Sequence, residues 1–365
     1  MNDVIEVIKK FHNYTLVNPQ EINTSELYHS LSLTDKRQLV LYAIDKFKMG
    51  QTSDAEILLT HLACLTENGL TEFHEELVDS GILYPGVIYH NASTKISQKL
   101  ISLLQSEKFP TEISNLLLAL AWIGDQYALD AFTFWEKNPP HWANKLSIPL
   151  KAYTHSAGWE MTSQGSRRPL TFKKCFPLVV PTPNNLNINS AAKLNTSHAE
   201  TCRWCKHELA TLFDIDLNSP QLSFIVGSGE RLRIATCYVC SCYGPIFTEV
   251  DWHGNSVWSE QNQLPAYLPR NTDPISLPIE PLVLSENTRS EYEAADQFMR
   301  VRFSQLGGFP TWIQDAEYPV CVKCDHTMQF IGQLSMEDIN EYDEGTYYAF
   351  ICIECGIACT NYQQS

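Results

Sequence analysis

From residue 3 to about residue 152, apolar positions recur with the period of an α-helix. Val4, Ile5, Ile8 and Phe11 form one stripe, and Leu39, Val40, Ala43, Ile44 and Phe47 another. Ile57, Leu58, His61, Leu62 and Leu65 follow, then Leu70, Phe73, Leu77 and Val78, and later Ile96, Leu100, Ile101 and Leu104. Breakers at Asn18-Pro19, Met49-Gly50, Asn68-Gly69, Tyr84-Pro85-Gly86, Phe109-Pro110 and Pro139-Pro140 supply the turns. The spacing predicts one helix over Ile113 to Ile123 and a second over Gln126 to Trp135. Gly124 would close the first as a left-handed cap and Asp125 would cap the start of the second. His61 lies within an apolar stripe and reads as a core histidine. Phe73-His74-Glu75-Glu76 lacks the second histidine of a zinc-protease helix.

The stretch LLLALAWIGDQYALDAFTFW resembles one repeat of the HEAT family. That resemblance implies an α-solenoid over residues 1–157, stacked from two-helix units as a packing and binding scaffold. An irregular helical bundle is the other reading.

The pattern changes at Ala157-Gly158-Trp159. Residues 158–199 read as a linker rich in Pro, Asn, Ser and basic side chains, with an entering strand among Phe172, Phe176, Leu178, Val179 and Val180. A Pro-rich connector over 264–288 separates two β-patterned repeats, 200–263 and 289–365. The expected class is therefore α+β, a helical HEAT-like domain followed by a β-rich tandem zinc-ribbon domain.

Cysteine placement carries the chemistry. Eight of the 12 cysteines form four Cys-x-x-Cys pairs in the second half: Cys202/Cys205, Cys237/Cys240, Cys321/Cys324 and Cys352/Cys355. The segments CRWCKHELATLF and CVKCDHTMQFIG align as Cys-x-x-Cys-x-His followed by apolar positions, and each runs through strand-like sequence to a second knuckle. Two residues between cysteines let both sulfurs face one point about 2.3 Å from a zinc ion. Four thiolates close a tetrahedron with no open position, so two structural Zn2+ are expected, one per repeat. A thioredoxin-type redox pair needs one such motif opening a helix, not four. His207 and His326 hold equivalent places and, with Cys242 and Cys359, are spare candidates for the ligand set. Cys64 and Cys175 read as structural. Pairing of knuckles within or between repeats stays open at this level.

Charge alters the list of partners. The net formal charge is −16, and residues 271–365 carry 4 basic against 15 acidic side chains. Nucleic acid is disfavoured where Lys and Arg are so sparse, and a basic protein partner is expected. Arg167, Arg168, Lys173 and Lys174 are the positions an RNA-binding reading would use. The longest uninterrupted apolar run, Leu116 to Ile123, is far short of a membrane span. The N-terminus shows no basic stretch followed by an apolar core, so a cytoplasmic protein is expected.

Residues 306–355 read Leu-Gly-Gly-Phe-Pro-Thr-Trp-Ile-Gln, then Cys-Val-Lys-Cys, a strand bearing Gln333, and an aromatic strand into Cys-Ile-Glu-Cys. This resembles the superfamily joining bacterial YwqG-type proteins with the eukaryotic programmed cell death protein 2 type. The matching positions are Gly307, Gly308, Pro310, Trp312, Gln314, Cys321, Cys324, Gln333, Cys352 and Cys355. The resemblance implies a β-rich, non-catalytic domain that grips other proteins, as chaperone of a ribosomal protein or as immunity protein against a toxin. The helical half departs from the usual members.

No Gly-x-Ser-x-Gly elbow, P-loop or dinucleotide fingerprint occurs. Gly227-Ser228-Gly229, between strand-like runs at Phe224 to Val226 and Leu232 to Ala235, reads as a hairpin turn rather than a phosphate cradle. The acidic run Glu341 to Glu344 reads as a solvated loop. The expectation is a non-enzyme: a bacterial immunity protein (antitoxin) that binds its toxin. The alternatives are a chaperone or adaptor for a basic ribosome-associated client, and a zinc-ribbon RNA-binding factor.

Overall fold

The computed structural model describes residues 4–12, 24–106, 111–182, 191–275, 277–278, 281–340 and 342–365. The Asn18-Pro19 and Phe109-Pro110 breaks and Glu341 lie outside them. The chain is of mixed α+β class and divides into two compact units, Met1–Pro169 with Tyr292–Val301, and Leu170–Glu291 with Arg302–Ser365.

The first unit holds nine helices among the described residues: α1 (Val4–His12), α2 (Thr24–His29), α3 (Leu33–Lys48), α4 (Thr52–Leu65), α5 (His74–Asp79), α6 (Thr94–Ser106), α7 (Ile113–Ile123), α8 (Gln126–Lys137) and α9 (Leu150–Ser156). A short hairpin of β1 (Trp159–Met161) and β2 (Arg167–Pro169) follows. The α7–α8 corner forms by local chemistry. Gly124 takes a left-handed φ of 55°, and its amide donates to the Leu120 carbonyl. The Asp125 carboxylate accepts the Ala128 amide at 2.9 Å and the Ser97 hydroxyl at 2.8 Å. Ser32 and Asp35 close a reciprocal capping box at the start of α3. Leu116, Leu117, Ala119, Leu120 and Ala121 of α7 are all buried, and Trp159 Nε1 donates to the Ala121 carbonyl at 2.8 Å.

Ten residues from the second half of the sequence complete this unit. The Tyr292 ring stacks on His90 with centroids 4.0 Å apart. Glu293 accepts the Ser25 hydroxyl at 2.9 Å, Ala294 and Met299 are buried, and the Arg300 guanidinium lies 4.4 Å over the Phe11 ring. Nothing in the periodicity of this segment announces the placement, because it is neither helix nor strand.

The second unit holds β3 (Phe172–Val179), β4 (Ala192–Thr201), β5 (Glu208–Asp216), β6 (Arg231–Thr236), β7 (Ile246–Val250), β8 (Ser256–Trp258), β9 (Val283–Leu284), β10 (Gln305–Gly308), β11 (Gln329–Ser335), β12 (Thr346–Cys352) and β13 (Ile357–Gln363). An eight-stranded sheet runs β8-β7-β13-β12-β11-β10-β3-β9, and a three-stranded sheet runs β4-β5-β6, with every pairing antiparallel. Leu194, Leu212, Phe213, Leu232 and Ile234 of the small sheet share one apolar cluster with Leu334, Tyr347, Ile351 and Ala358 of the large one. Tyr348, Phe350 and Cys359 on the other side of the large sheet join Tyr318, Met328 and Phe330 in a second cluster. All seven residues of β12 are buried, which is why that strand reads as a continuous apolar run rather than an alternation.

Two local expectations change. Phe224 to Val226 is not a strand: Leu222 and Ile225 donate to the carbonyls of Ser219 and Leu222 at 3.0 and 2.9 Å, so successive turns carry these apolar side chains onto the core. The excursion from β5 to β6 is therefore longer than a hairpin turn at 227–229. The segment 158–199 carries a hairpin (β1–β2), β3 and the start of β4, so far more of it is ordered sheet than the composition suggests.

Candidate metal centres

The first knuckle of each repeat is built the same way, atom for atom on the backbone. Thr201 pairs with Glu208 around Cys202 and Cys205, and Val320 pairs with Thr327 around Cys321 and Cys324. The Cys202 amide donates to the His207 carbonyl at 2.8 Å, and the Cys321 amide to the His326 carbonyl at 2.8 Å. Lys206 and Asp325, directly after the second cysteine, both turn the chain through the left-handed region, with φ of 68° and 59°. Their amides return to the Cys202 and Cys321 carbonyls at 2.9 and 3.0 Å.

The second knuckles diverge. After Cys355, Gly356 takes a φ of 61° and turns the chain straight back as β13 against β12. A Cβ there would lie 2.8 Å from the Val250 carbonyl oxygen, so the position requires glycine. After Cys240 the chain instead enters a 3-10 turn, Cys240–Cys242. It then leaves β6, and β7 adds to the outer edge of β13. The first repeat thus lends its last strands to the sheet of the second. A buried hydrogen bond of 2.8 Å between Thr360 Oγ1 and Thr236 Oγ1 ties β13 to β6.

The eight paired cysteines gather into two groups, Cys202/Cys205/Cys237/Cys240 and Cys321/Cys324/Cys352/Cys355, the sulfurs of each lying within 4.8 Å of one another. Knuckles therefore pair within each repeat. Sulfur separations of 3.7 Å (Cys202 to Cys240), 3.5 Å (Cys205 to Cys237) and 3.6 Å (Cys324 to Cys352) are far beyond a disulfide bond. They match the edge of a tetrahedron whose corners lie about 2.3 Å from its centre, roughly 3.8 Å. Main-chain amides point at sulfur in both sites, Cys240 N to Cys237 Sγ and Lys323 N to Cys321 Sγ, each at 3.5 Å, and such bonds favour the thiolate. Hydrogen bonds from the Cys237 and Cys240 thiols push the Cys202 thiol down to about 2. The same sharing pushes Cys237 up to about 12. Cys355 rises to about 11, chiefly through its hydrogen bond with Cys324. Four sulfurs this close hold four negative charges only around a cation, so the donor set fits a metal.

Each cluster is set in apolar surroundings: Leu209, Val239, Ile246 and Trp258 around the first, and Tyr318, Met328, Phe330 and Phe350 around the second. The spare candidates stand outside. Cys242 Sγ faces the Tyr238 carbonyl at 3.3 Å and Cys359 Sγ the Thr360 carbonyl at 3.8 Å. His326 Nδ1 lies 3.6 Å from the Glu354 carboxylate, and neither His207 nor His326 belongs to the metal-ligand groups. Their shared contribution is the carbonyl that receives the cysteine amide.

The residues of the Leu-Gly-Gly-x-Pro-x-Trp motif serve a different structure. Gln305, Gln333, Tyr348 and Asn361 stand opposite one another across β10, β11, β12 and β13. Together they hold a strap over that face of the sheet. Gln305 Nε2 donates to the Phe309 carbonyl at 2.6 Å. Gln333 accepts the Thr311 amide at 2.8 Å and donates to the Thr311 hydroxyl at 2.7 Å. The Tyr348 hydroxyl donates to the Thr311 carbonyl, and Asn361 Nδ2 to that of Glu317 at 3.4 Å. Gln314, further along the strap, reaches the Gln364 carbonyl at 2.9 Å. Trp312 stacks on Tyr348 and Phe350. Gly307 is required because a Cβ would fall 2.0 Å from the Lys174 carbonyl oxygen.

The basic quartet is only partly free. Arg167 donates to the Gly124 carbonyl at 2.7 Å and covers the Trp159 ring, and Arg168 pairs with Glu160 at 2.6 Å. Lys173 and Lys174 are exposed. No helix among the described residues is long and apolar enough to cross a membrane.

These features define a mixed α+β protein with two tetracysteine clusters in one β-rich unit. The chain is 36% identical over 355 residues to the uncharacterized protein YpfL of Salmonella typhimurium, a match spanning 95% of this chain and 81% of that one. It belongs to the YpfL family. No family model matches the chain, and no solved structure matches it.

Proposed function

We propose that this is a non-catalytic protein-binding protein whose β-rich unit consists of two zinc ribbons, each built on one structural zinc ion. The observation that carries this reading is the closure of both sulfur clusters. Among the described residues each centre is a group of four cysteines with no carboxylate or imidazole in it, so a zinc ion held by all four sulfurs would organise the fold and leave no site for water activation. Zinc binding free energy then becomes folding free energy for the knuckles. The net charge of −16 suits a basic partner. With the YwqG-type pattern around the strap, this favours an immunity protein that occludes a toxin, the helical unit acting as a HEAT-like scaffold. Engagement of Arg167 and Arg168 within the helical unit weakens the RNA-binding alternative.

The test is a tagged capture from the native cell, followed by expression of the captured protein alone and together with this chain. A stoichiometric partner that arrests growth alone and is tolerated in the presence of this chain supports the immunity reading. A ribosomal protein as the partner overturns it in favour of a chaperone.

A further inference from the structure

The segment Tyr292–Val301 is seated on the helices of its unit through histidines. The His61 ring of α4 is wholly buried and engaged at both nitrogens. Nδ1 stands 2.8 Å from the Ile57 carbonyl, which only accepts, so this nitrogen carries the hydrogen. Nε2 faces the backbone amide of Arg300 at 3.4 Å, which only donates, so this nitrogen is bare and the ring is neutral. The Arg300 guanidinium lies over the Phe11 ring and donates to the Phe11 carbonyl at 3.3 Å. At the start of the segment Tyr292 stacks on His90, whose Nε2 is fixed by the Ala63 carbonyl at 2.7 Å.

A proton on His61 Nε2 would point at the Arg300 N–H, turning a hydrogen bond into a repulsion and adding a positive charge beside a guanidinium. The groups packed around the ring do not relieve it. His12 of α1 stands edge-on with centroids 4.9 Å away and meets the Tyr28 hydroxyl of α2, so a charge on either histidine opposes one on the other. Lys46 of α3 is a further cation near His12, paired with Asp54 at 3.0 Å. Burial keeps the Tyr28 hydroxyl and the Cys64 thiol neutral. The carboxylates of the segment are engaged elsewhere: Glu293 accepts the Ser25 hydroxyl, and Asp296 accepts the Phe298 amide at 2.8 Å. Beside Asp296, burial and then the Asp296 charge push Glu56 of α4 up to about 6. As anions this pair repel, so their protonation favours seating and works against the histidine.

We propose that Tyr292–Val301 is an acid-released latch, seated on α1 and α4 while His61 is neutral and released when His61 takes a proton. The segment has no helix or strand of its own, so no ladder has to break for it to leave. Burial holds the seated His61 down to about 4, below the ordinary value of about 6.5. The released state therefore binds the proton more readily. Seating is complete above about pH 6.5 and declines as pH falls toward 4.

The experiment is hydrogen exchange of the full chain, read by mass spectrometry from about pH 7.5 to about pH 4.5 and corrected for the intrinsic rate at each pH. Peptides covering residues 292–301 are expected to lose about tenfold in protection across that range, while those covering α3 and α7 keep theirs. His61→Gln, neutral at every pH, is expected to hold the protection of the segment constant. Glu56→Gln removes one anion of the opposing pair and is expected to steepen the loss, which keeps the test valid where His61→Gln disturbs folding. Segment protection unchanged in acid, loss only together with α3 and α7, the same loss in His61→Gln, or no loss in Glu56→Gln overturns the proposal.

Discussion

Lys206 and Asp325 occupy the same backbone position, 119 residues apart in sequence: each follows a Cys-x-x-Cys pair, takes a left-handed φ (68° and 59°) and returns its amide to the first cysteine. Aspartate tolerates this conformation better than most side chains and lysine does not, yet both adopt it, so the turn is imposed by the knuckle and not by the residue. Left-handed backbone costs an ordinary side chain about 1 kcal/mol.

Lys206→Gly and Asp325→Gly are therefore expected to leave the metal-loaded protein as stable as before or up to about 1 kcal/mol more stable. Gly356→Ala, whose new Cβ would meet the Val250 carbonyl at 2.8 Å, is expected to destabilise it. Urea unfolding followed by tryptophan fluorescence compares the three directly.

Metal counting tests the pairing of knuckles. With each cluster formed inside one repeat, the double substitution Cys205→Ser with Cys237→Ser removes one metal equivalent and spares the other. Were knuckles paired between repeats, the same double variant would lose both. Elemental analysis of protein purified without chelator decides between the two counts, and two equivalents are expected for the unsubstituted chain.

The helical unit carries an acid sensitivity of its own. Burial pushes both His61 and His74 down to about 4, and each makes a carbonyl hydrogen bond, to Ile57 and Ile88. A group whose folded pKa lies below its unfolded value of about 6.5 binds protons more readily in the unfolded chain. Its full contribution is present above about pH 6.5 and declines as pH falls toward 4. The urea midpoint of the helical signal should drop across that window, and His74→Gln should flatten the slope.

Gln333 is the centre of the clasp on the strap. Gln333→Leu keeps much of the volume but strands the Thr311 amide and the Phe303 carbonyl, each of which the glutamine now satisfies at 2.8 Å. A buried unsatisfied group costs about 1–3 kcal/mol, so with two of them stranded a loss of about 2–6 kcal/mol is expected. Limited proteolysis should find its first new cleavage between residues 309 and 317.

Features that depend on a few neighbouring residues were readable in the sequence. The α7–α8 corner follows from Gly124 and Asp125, and each Cys-x-x-Cys pair follows from a spacing that puts two sulfurs on one point, whereas which pairs join is settled only by the folded strands. What escaped depends on contacts far apart along the chain. Periodicity cannot tell that β7 leaves β6 to pair with β13, because strand partners are chosen by edges that exist only after the sheet has formed. Gln305 and Gln333 are polar, and nothing local in the sequence announces that they are wholly buried, because the strap that supplies their hydrogen bonds is placed only by the fold. Phe224 to Val226 has β-forming side chains, yet its backbone turns to bring Leu222 and Ile225 to the core.

The segment Tyr292–Val301 has a bearing on how the chain is made. The helical unit contains residues 1–169 and yet is finished by these ten, which supply Tyr292 to His90, Glu293 to Ser25 and Arg300 to Phe11. During synthesis its helices emerge first and must wait, with those three partners uncovered, until residue 301 has cleared the ribosomal exit. By then the cysteines of the first repeat and β3 to β9 have emerged as well. The amino-terminal unit thus cannot be completed before the first repeat has been made, and a ribosome stalled before residue 292 would hold a helical assembly without the partners of His90, Ser25 and Phe11.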